Sequence, residues 1–199
     1  MREAIKMLVV LTVISIISGS LLAFLERTTR EPIEYQKLKF VKGPAVLAVF
    51  SGYDNDPIKD YRKDVLLEKK EDASIRKNIF PARKDGKVFA VAFEVTGEGY
   101  HGPLGIMIGI EIKSGRLTGM RVMIHTETPG LGARAIEPGF YKQFSGMEIE
   151  DVALSGKGGK INAISGATIT SQGVADAVRK GLELFARTRD EIKSVLKAG

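Results

Sequence analysis

The sequence predicts an α+β fold: a twisted, mostly antiparallel sheet with packed helices, preceded by one transmembrane helix. Three observations carry this prediction. Met7 to Leu25 contains no charged residue and is apolar on every side. Three runs rich in β-branched and aromatic residues follow between Lys87 and Ile124, separated by turn signals. The final segment, Gln172 to Leu196, sets Val174, Ala177, Val178, Leu182, Phe185 and Ile192 at helical spacing.

The first element is interrupted only by Thr12, Ser15, Ser18, Gly19 and Ser20. Its roughly 19 residues, rising about 1.5 Å each, cover the hydrocarbon core of a bilayer. A cleaved signal peptide would want a shorter apolar run and a small-x-small site, and Ala23-Phe24-Leu25 does not supply one. Residues 1–27 therefore read as a retained anchor. Arg2, Lys6 and the amino terminus precede it, and Arg27 and Arg30 follow beside Glu26 and Glu31. Counting basic residues alone puts the N-terminus inside, so the expectation is a single-pass inner-membrane protein with an extracytoplasmic domain.

Residues 28–78 read as a juxtamembrane linker with surface helices. Thr28 to Lys39 is charged and contains Pro32, as a linker or juxtamembrane helix would. Phe40 to Ser51 is apolar but short and takes no firm assignment. Asp54 to Asp72 is strongly charged, with apolar Tyr61, Val65 and Leu66, and reads as a surface helix or loop. From Ile79 the period changes, and residues 79–199 read as the main domain. Lys87–Val95, Leu104–Ile112 and Leu117–Ile124 are its strands, the last two joined by the turn Lys113-Ser114-Gly115-Arg116. Asp151–Leu154 and Ile161–Ile164 are two shorter strand candidates around the flexible loop Gly156-Lys157-Gly158-Gly159.

Composition narrows the chemistry. The 199 residues include no cysteine, which excludes disulfides, thiolate zinc, iron–sulfur clusters and c-type haem attachment. The two histidines, His101 and His125, read as structural or surface groups, and no metal site is expected. A redox role must then rest on an organic cofactor, a flavin or a quinone. The net charge of +6 is dispersed, with runs such as Lys69-Lys70-Glu71-Asp72 that read as a solvated face. No basic run interleaved with aromatics is present, so no nucleic-acid partner is expected. No general acid–base pair or nucleophilic triad stands out, and no catalytic residue is assigned.

Three segments point to a ligand. Ile164-Ser165-Gly166-Ala167-Thr168-Ile169-Thr170-Ser171 runs into the helical pattern that begins near Gln172. Its small residues permit close approach, and its hydroxyls and free N–H groups suit a phosphate oxygen at the positive end of the helix dipole. The competing reading is an ordinary cap, with Thr170 or Ser171 satisfying the first turn. His125-Thr126-Glu127-Thr128-Pro129-Gly130-Leu131-Gly132 follows a strand. There Pro129-Gly130 is a turn, the glycines let the backbone lie against a flat ligand, and Glu127 and Thr128 offer an acceptor and a donor to a ring edge or sugar hydroxyls. A plain strand-ending loop is the alternative. Gly97-Glu98-Gly99-Tyr100-His101-Gly102-Pro103-Leu104 has similar character, with Tyr100 able to stack on a ring or to anchor the turn.

Together these segments resemble the FMN-binding domain family of membrane redox complexes, nearest to the G subunits of Rnf electron-transport complexes. The C subunits of sodium-pumping NADH:quinone oxidoreductases are near relatives. The motifs are Gly-Tyr-His-Gly-Pro-Leu (99–104), Glu-Thr-Pro-Gly-Leu-Gly (127–132) and Ser-Gly-Ala-Thr (165–168), behind a membrane span. The resemblance implies FMN esterified through its phosphate to Thr168 by a flavin transferase, with Thr170 the second candidate in the same loop. It implies Ser165, Gly166, Ala167, Thr170 and Ser171 at the phosphate end, and Tyr100, Glu127, Thr128, Pro129, Gly130, Leu131 and Gly132 around the ring. Asn162 stands where the family often has an acidic residue and keeps an acceptor oxygen without the charge. The implied partners are the other membrane subunits of an Rnf-type ion-translocating complex, which as a whole would be the enzyme. An anchored sensor or assembly domain without a working flavin is the alternative.

Overall fold

The structure is a computed structural model that describes residues 1–69 and 74–197. Of the charged run at 69–72, Lys70, Glu71 and Asp72 lie outside the described residues. The chain divides into two compact units, Met1–Val41 and Lys42–Gly199.

The first unit is the long helix α1 (Arg2–Lys37), which runs on through Pro32 and passes into a π-helical turn, Leu38–Lys42. Its apolar side chains from Met7 to Leu25 are exposed, as suits contact with lipid, and it is long and apolar enough to cross a membrane. Two of the hydroxyls that interrupt the stretch are bonded within the helix. Thr12 and Ser15 each donate to the carbonyl four residues back at 2.8 Å, as a hydrocarbon environment demands. Thr28 to Lys39 is thus a juxtamembrane helix for most of its length.

The second unit opens with the short helix α2 (Gly43–Ala48), started by Pro44 in its first turn. Five strands follow: β1 (Arg62–Lys69), β2 (Ser74–Lys84), β3 (Lys87–Glu98), β4 (Pro103–Glu111) and β5 (Leu117–Ile124). They pair in sequence order, each antiparallel to the next, as one meander. The short helix α3 (Pro138–Tyr141), several single turns and the long helix α4 (Thr168–Lys197) complete the unit.

Four sequence expectations change here. Within Asp54–Asp72, Arg62–Lys69 is an edge strand. Val65 and Leu67 are buried while Leu66 is exposed, so the period is two, and the charges belong to the solvent side of an edge. The sheet also begins before Lys87, because β2 hides behind its lysines, arginines and Pro81, with a register shift beside that proline at Ala82/Arg83. Phe40–Ser51 resolves into the π-helical turn and α2. Asp151–Leu154 and Ile161–Ile164 are not strands but meet through one bridge, Leu154 to Ile161. Single 3-10 turns at Ile149–Asp151 and Ser155–Lys157 occupy the space a strand would need.

The sheet is covered on both faces. Val91, Phe93 and Val95 of β3 pair with Ile110, Ile108 and Ile106 of β4 and form a buried core with Val174, Val178, Leu182 and Phe185 of α4. Each such side chain contributes about 1.5–3 kcal/mol. On the other face Gly109 of β4 and Gly119 of β5 make room for the end of α2, where a Cβ on either would meet Val49. Thr118 there donates to the Val49 carbonyl at 2.6 Å.

The contact that positions the site is between backbones. A Cβ on Gly97 of β3 would come within 2.6 Å of the Gly173 carbonyl of α4, and one on Gly173 would strike the Glu98 carbonyl. Ala177 and Gly181 continue this small-residue seam down the helix. We predict that Gly173→Ala lowers stability by about 1–3 kcal/mol through overpacking, although helix propensity alone would raise it by about 1 kcal/mol. Thermal unfolding of the full chain decides the sign; an unchanged or higher midpoint would rule the seam out.

Candidate functional site

Helix α4 begins at Thr168, four residues earlier than the apolar period suggests. Buried Ile164 and Ala167 anchor its approach, and Gly166 turns the chain at φ 77°. The entry is closed from inside the helix. Ser171, fully buried, accepts from the Ile164 N–H at 2.9 Å and donates to the Ala167 carbonyl at 2.9 Å. This is not the expected cap: Ser171 lies inside the helix and satisfies the Ile164 N–H, not an N–H of the first turn. The N–H groups of Thr168, Ile169 and Thr170 find no acceptor among the described residues, as expected of a first helical turn.

The two threonines of this turn differ in environment. Thr168 is exposed at the first helical position, whereas Thr170 is 1 % exposed and donates to Glu127 at 2.6 Å. Thr168 has a hydroxyl open to a reagent and Thr170 does not.

Glu127, itself 6 % exposed, ties the three motifs together. One carboxylate oxygen accepts from Thr170, and the other accepts from the His101 N–H at 3.0 Å, with the Tyr100 N–H turned towards the same carboxylate. A Cβ on Gly99 or on Gly132 would collide with this carboxylate, so both glycines are required by its close passage. Burial pushes the Glu127 carboxyl up, but the Thr170 hydroxyl and the two backbone N–H groups outweigh it and hold the group below the usual carboxylate range. The acceptor expected to face a ring edge or sugar hydroxyl is thus engaged within the protein.

Two clefts meet at Thr168 and Ile169, which line both. One, about 470 Å³, is bounded by Tyr100, His101, Glu127, Thr128, Leu131, Gly132 and Gly166–Thr170. Its rim carries the exposed side chains of Tyr100, Leu131 and Ile169. The other, about 460 Å³, is more polar and runs along α4 past Gln172, Asp176 and Lys180, with Thr96–Glu98 and Lys157 opposite.

Of the predicted site residues, Tyr100, Glu127, Thr128, Leu131, Gly132, Gly166, Ala167, Thr168 and Thr170 converge on the first cleft. Ser165, Pro129, Gly130 and Ser171 lie outside that lining: Gly130 makes its turn at φ 76°, and Ser171 is inside the helix entry. His101, Ile169, Lys157, Gln172 and Lys180 were not anticipated. Gln172, Asp176 and Lys180 follow Thr168 at successive intervals of four, a signal readable once the helix start is known. Lys157 sits in the glycine loop that the sequence marks as flexible. Its N–H bonds to the Leu154 carbonyl at 2.7 Å, which fixes its backbone.

The Thr170–Glu127 bond predicts a pH-dependent stability difference. A hydrogen bond to a charged group contributes about 1.5–3 kcal/mol, so Thr170→Val is expected to lose that much at neutral pH. Because the folded carboxyl lies below its unfolded value, its contribution is complete above the unfolded value. It disappears as pH falls through the folded one. Denaturant midpoints of both proteins should converge in acid below the usual carboxylate range; a gap independent of pH would mean that no ionised Glu127 is involved.

The FMN-binding domain family matches residues 99–183, from the first glycine beside Glu127 into α4. The G subunit of the ion-translocating oxidoreductase complex of Cereibacter sphaeroides is 34% identical over 191 residues, covering 92% of this chain and 84% of that protein. Its counterpart from Methanosarcina acetivorans is 31% identical over 188 residues, covering 92% and 94%. Among solved structures, the C subunit of the Na(+)-translocating NADH-quinone reductase of Parabacteroides distasonis has the same fold. Its TM-score is 0.58 at 22% identity, covering 78% of this chain and 95% of that one. Shewanella oneidensis NqrC gives 0.59 at 17% identity, covering 79% and 96%. The chain belongs to the family of G subunits of ion-translocating oxidoreductase complexes.

Proposed function

We propose that this chain is the membrane-anchored, FMN-bearing electron-transfer subunit of an Rnf-type ion-translocating oxidoreductase complex, with FMN joined through its phosphate to Thr168. The observation that carries the reading is the exposed Thr168 hydroxyl, at the first position of α4 and on the ridge between two clefts.

The residues present fit such a group. A cleft of about 470 Å³ falls within the range of cofactor sites, and Tyr100, Leu131 and Ile169 give it apolar walls for a flat ring. The unpaired N–H groups and positive dipole end at the start of α4 would receive the phosphate. Lys157 and Lys180, which have no ion pair among the described residues, border the adjoining polar cleft and add positive charge. Gln172 brings a buried side-chain oxygen with no hydrogen-bond donor among the described residues to the same cleft, suited to a ribityl hydroxyl.

FMN, when bound, supplies the electron transfer; the protein binds, orients and tunes it. Thr168 would provide the ester oxygen: its O–H bond breaks as the O–P bond forms on the flavin transferase, and the proton leaves with the oxygen-linked group displaced from the flavin phosphate. Thr170, committed to Glu127 and buried, keeps the helix entry in register. Electron exchange is with other membrane subunits, and the chain turns over no small substrate by itself. Helix α1 is the anchor, with its N-terminus inside and the sheet domain on the extracytoplasmic side.

The test is intact mass and in-gel fluorescence of denatured protein co-expressed with a flavin transferase, beside Thr168→Val and Thr170→Val. Wild type and Thr170→Val should gain one FMN less one water, and Thr168→Val should gain nothing. An adduct that persists in Thr168→Val would move the linkage elsewhere. No adduct in wild type with an active transferase would sink the redox-carrier reading.

A further inference from the structure

Glu127 remains the group in the flavin cleft whose charge the assignment above leaves unused. It is the one carboxylate among the residues bounding that cleft, and none of them is lysine or arginine. The lysines of the region, Lys157 and Lys180, border the polar cleft on the other side of Thr168. The positive end of α4 points to Thr168 itself. His101, exposed at the rim, is the one side chain bounding the cleft that can carry a positive charge near the carboxylate.

We propose that Glu127 is a positioning residue that locks the three flavin loops together and, as a fixed anion in the cleft wall, keeps the reduction potential of the flavin low. The proposal rests on the flavin assignment above. Both parts follow from one geometry. With Thr170 on one oxygen at 2.6 Å and the His101 N–H on the other at 3.0 Å, the carboxylate joins the β3–β4 loop, its own loop and the first turn of α4. Gly99 and Gly132 press against it from two sides, so it has one available orientation. The same enclosure removes it from water, and a charge so placed acts far more strongly on its surroundings than it would in solvent. Reduction adds electrons to the ring, and a fixed negative charge beside the ring opposes that addition. The donors around Glu127 favour its ionised form and therefore hold the charge in place.

Glutamine separates charge from geometry. In Glu127→Gln the amide oxygen accepts the backbone N–H groups and the amide nitrogen donates to the Thr170 hydroxyl, so the clasp persists while the charge is lost. Thr170→Val does the reverse. Wild type, Glu127→Gln and Thr170→Val, each co-expressed with a flavin transferase, are compared by intact mass, thermal melting and spectroelectrochemical titration at pH 7.

Glu127→Gln is expected to keep its flavin adduct and to raise the midpoint potential by about tenfold in the one-electron equilibrium constant, which is 59 mV. Thr170→Val is expected to melt lower and to show no rise. A flavinylated Glu127→Gln with the wild-type potential would overturn the proposal. So would a rise in Thr170→Val, because geometry and not charge would then set the potential; this arm decides even where Glu127→Gln does not fold. Absence of the adduct from wild type is a separate result, read from mass alone, and would overturn the flavin assignment and this proposal with it.

Discussion

The backbone contact between Gly97–Glu98 and Gly173 fixes the rest of the molecule's working end. An α-helix is a rigid rod over a few turns, so a contact five residues into α4 determines where Thr168 stands, roughly 7.5 Å up the axis. A side chain at that contact would lift the helix from β3. The lift would pass directly to the pair that closes the site, because Thr170 and Glu127 belong to elements on opposite sides of the contact. Two residues usually costly in regular elements are therefore retained at the one place where the main chains must touch.

Above this contact the loops belong to no ladder, and an ionised group, helped by the Thr126 hydroxyl on the His101 carbonyl, supplies what hydrogen-bonded strands supply below. A buried carboxylate is expensive unless its lone pairs are used, and Glu127 has the Thr170 hydroxyl on one oxygen and the His101 N–H on the other. The glycines of two motifs acquire a shared purpose in this arrangement. In sequence, Gly99 and Gly132 look like turn or ring-contact residues; in space they are the walls between which one side chain fits.

The strands from Lys87 to Ile124 were legible because they are runs of β-branched and other apolar residues, buried on both faces in β4, and the final helix because its apolar positions recur at near four. β1 and β2 were not: β1 is an edge strand, whose charges mask the alternation of Val65 and Leu67, and Pro81 of β2 is tolerated because it lies beyond the stretch paired with β1. The start of α4 was obscured for a related reason. Thr168, Thr170 and Ser171 have weak helix propensity and suit caps, so the apolar pattern alone delays the helix to Gln172. That delay concealed the row Thr168, Gln172, Asp176, Lys180, and with it the polar cleft. The three motifs themselves were visible from residue types, and so was their convergence as a resemblance. The role of Glu127 was not, because it depends on a partner 43 residues away.

The form of the clefts bears on why an ester would be used at all. Tyr100, Leu131 and Ile169 are 66%, 46% and 57% exposed, so the walls of the apolar cleft are also its open rim. A ligand held there by burial alone would gain only part of the apolar stabilisation that a closed pocket gives, because one face of a flat ring would still meet solvent or a partner. Closing the rim would strengthen binding and at the same time lengthen the path for electrons. A bond to Thr168, as proposed, would remove that conflict: the ring's effective concentration at the site would no longer depend on how much of it is covered. On the flavin reading, the exposed rim is then the surface through which electrons leave, and the buried Glu127 behind it orients the ring without occupying that surface.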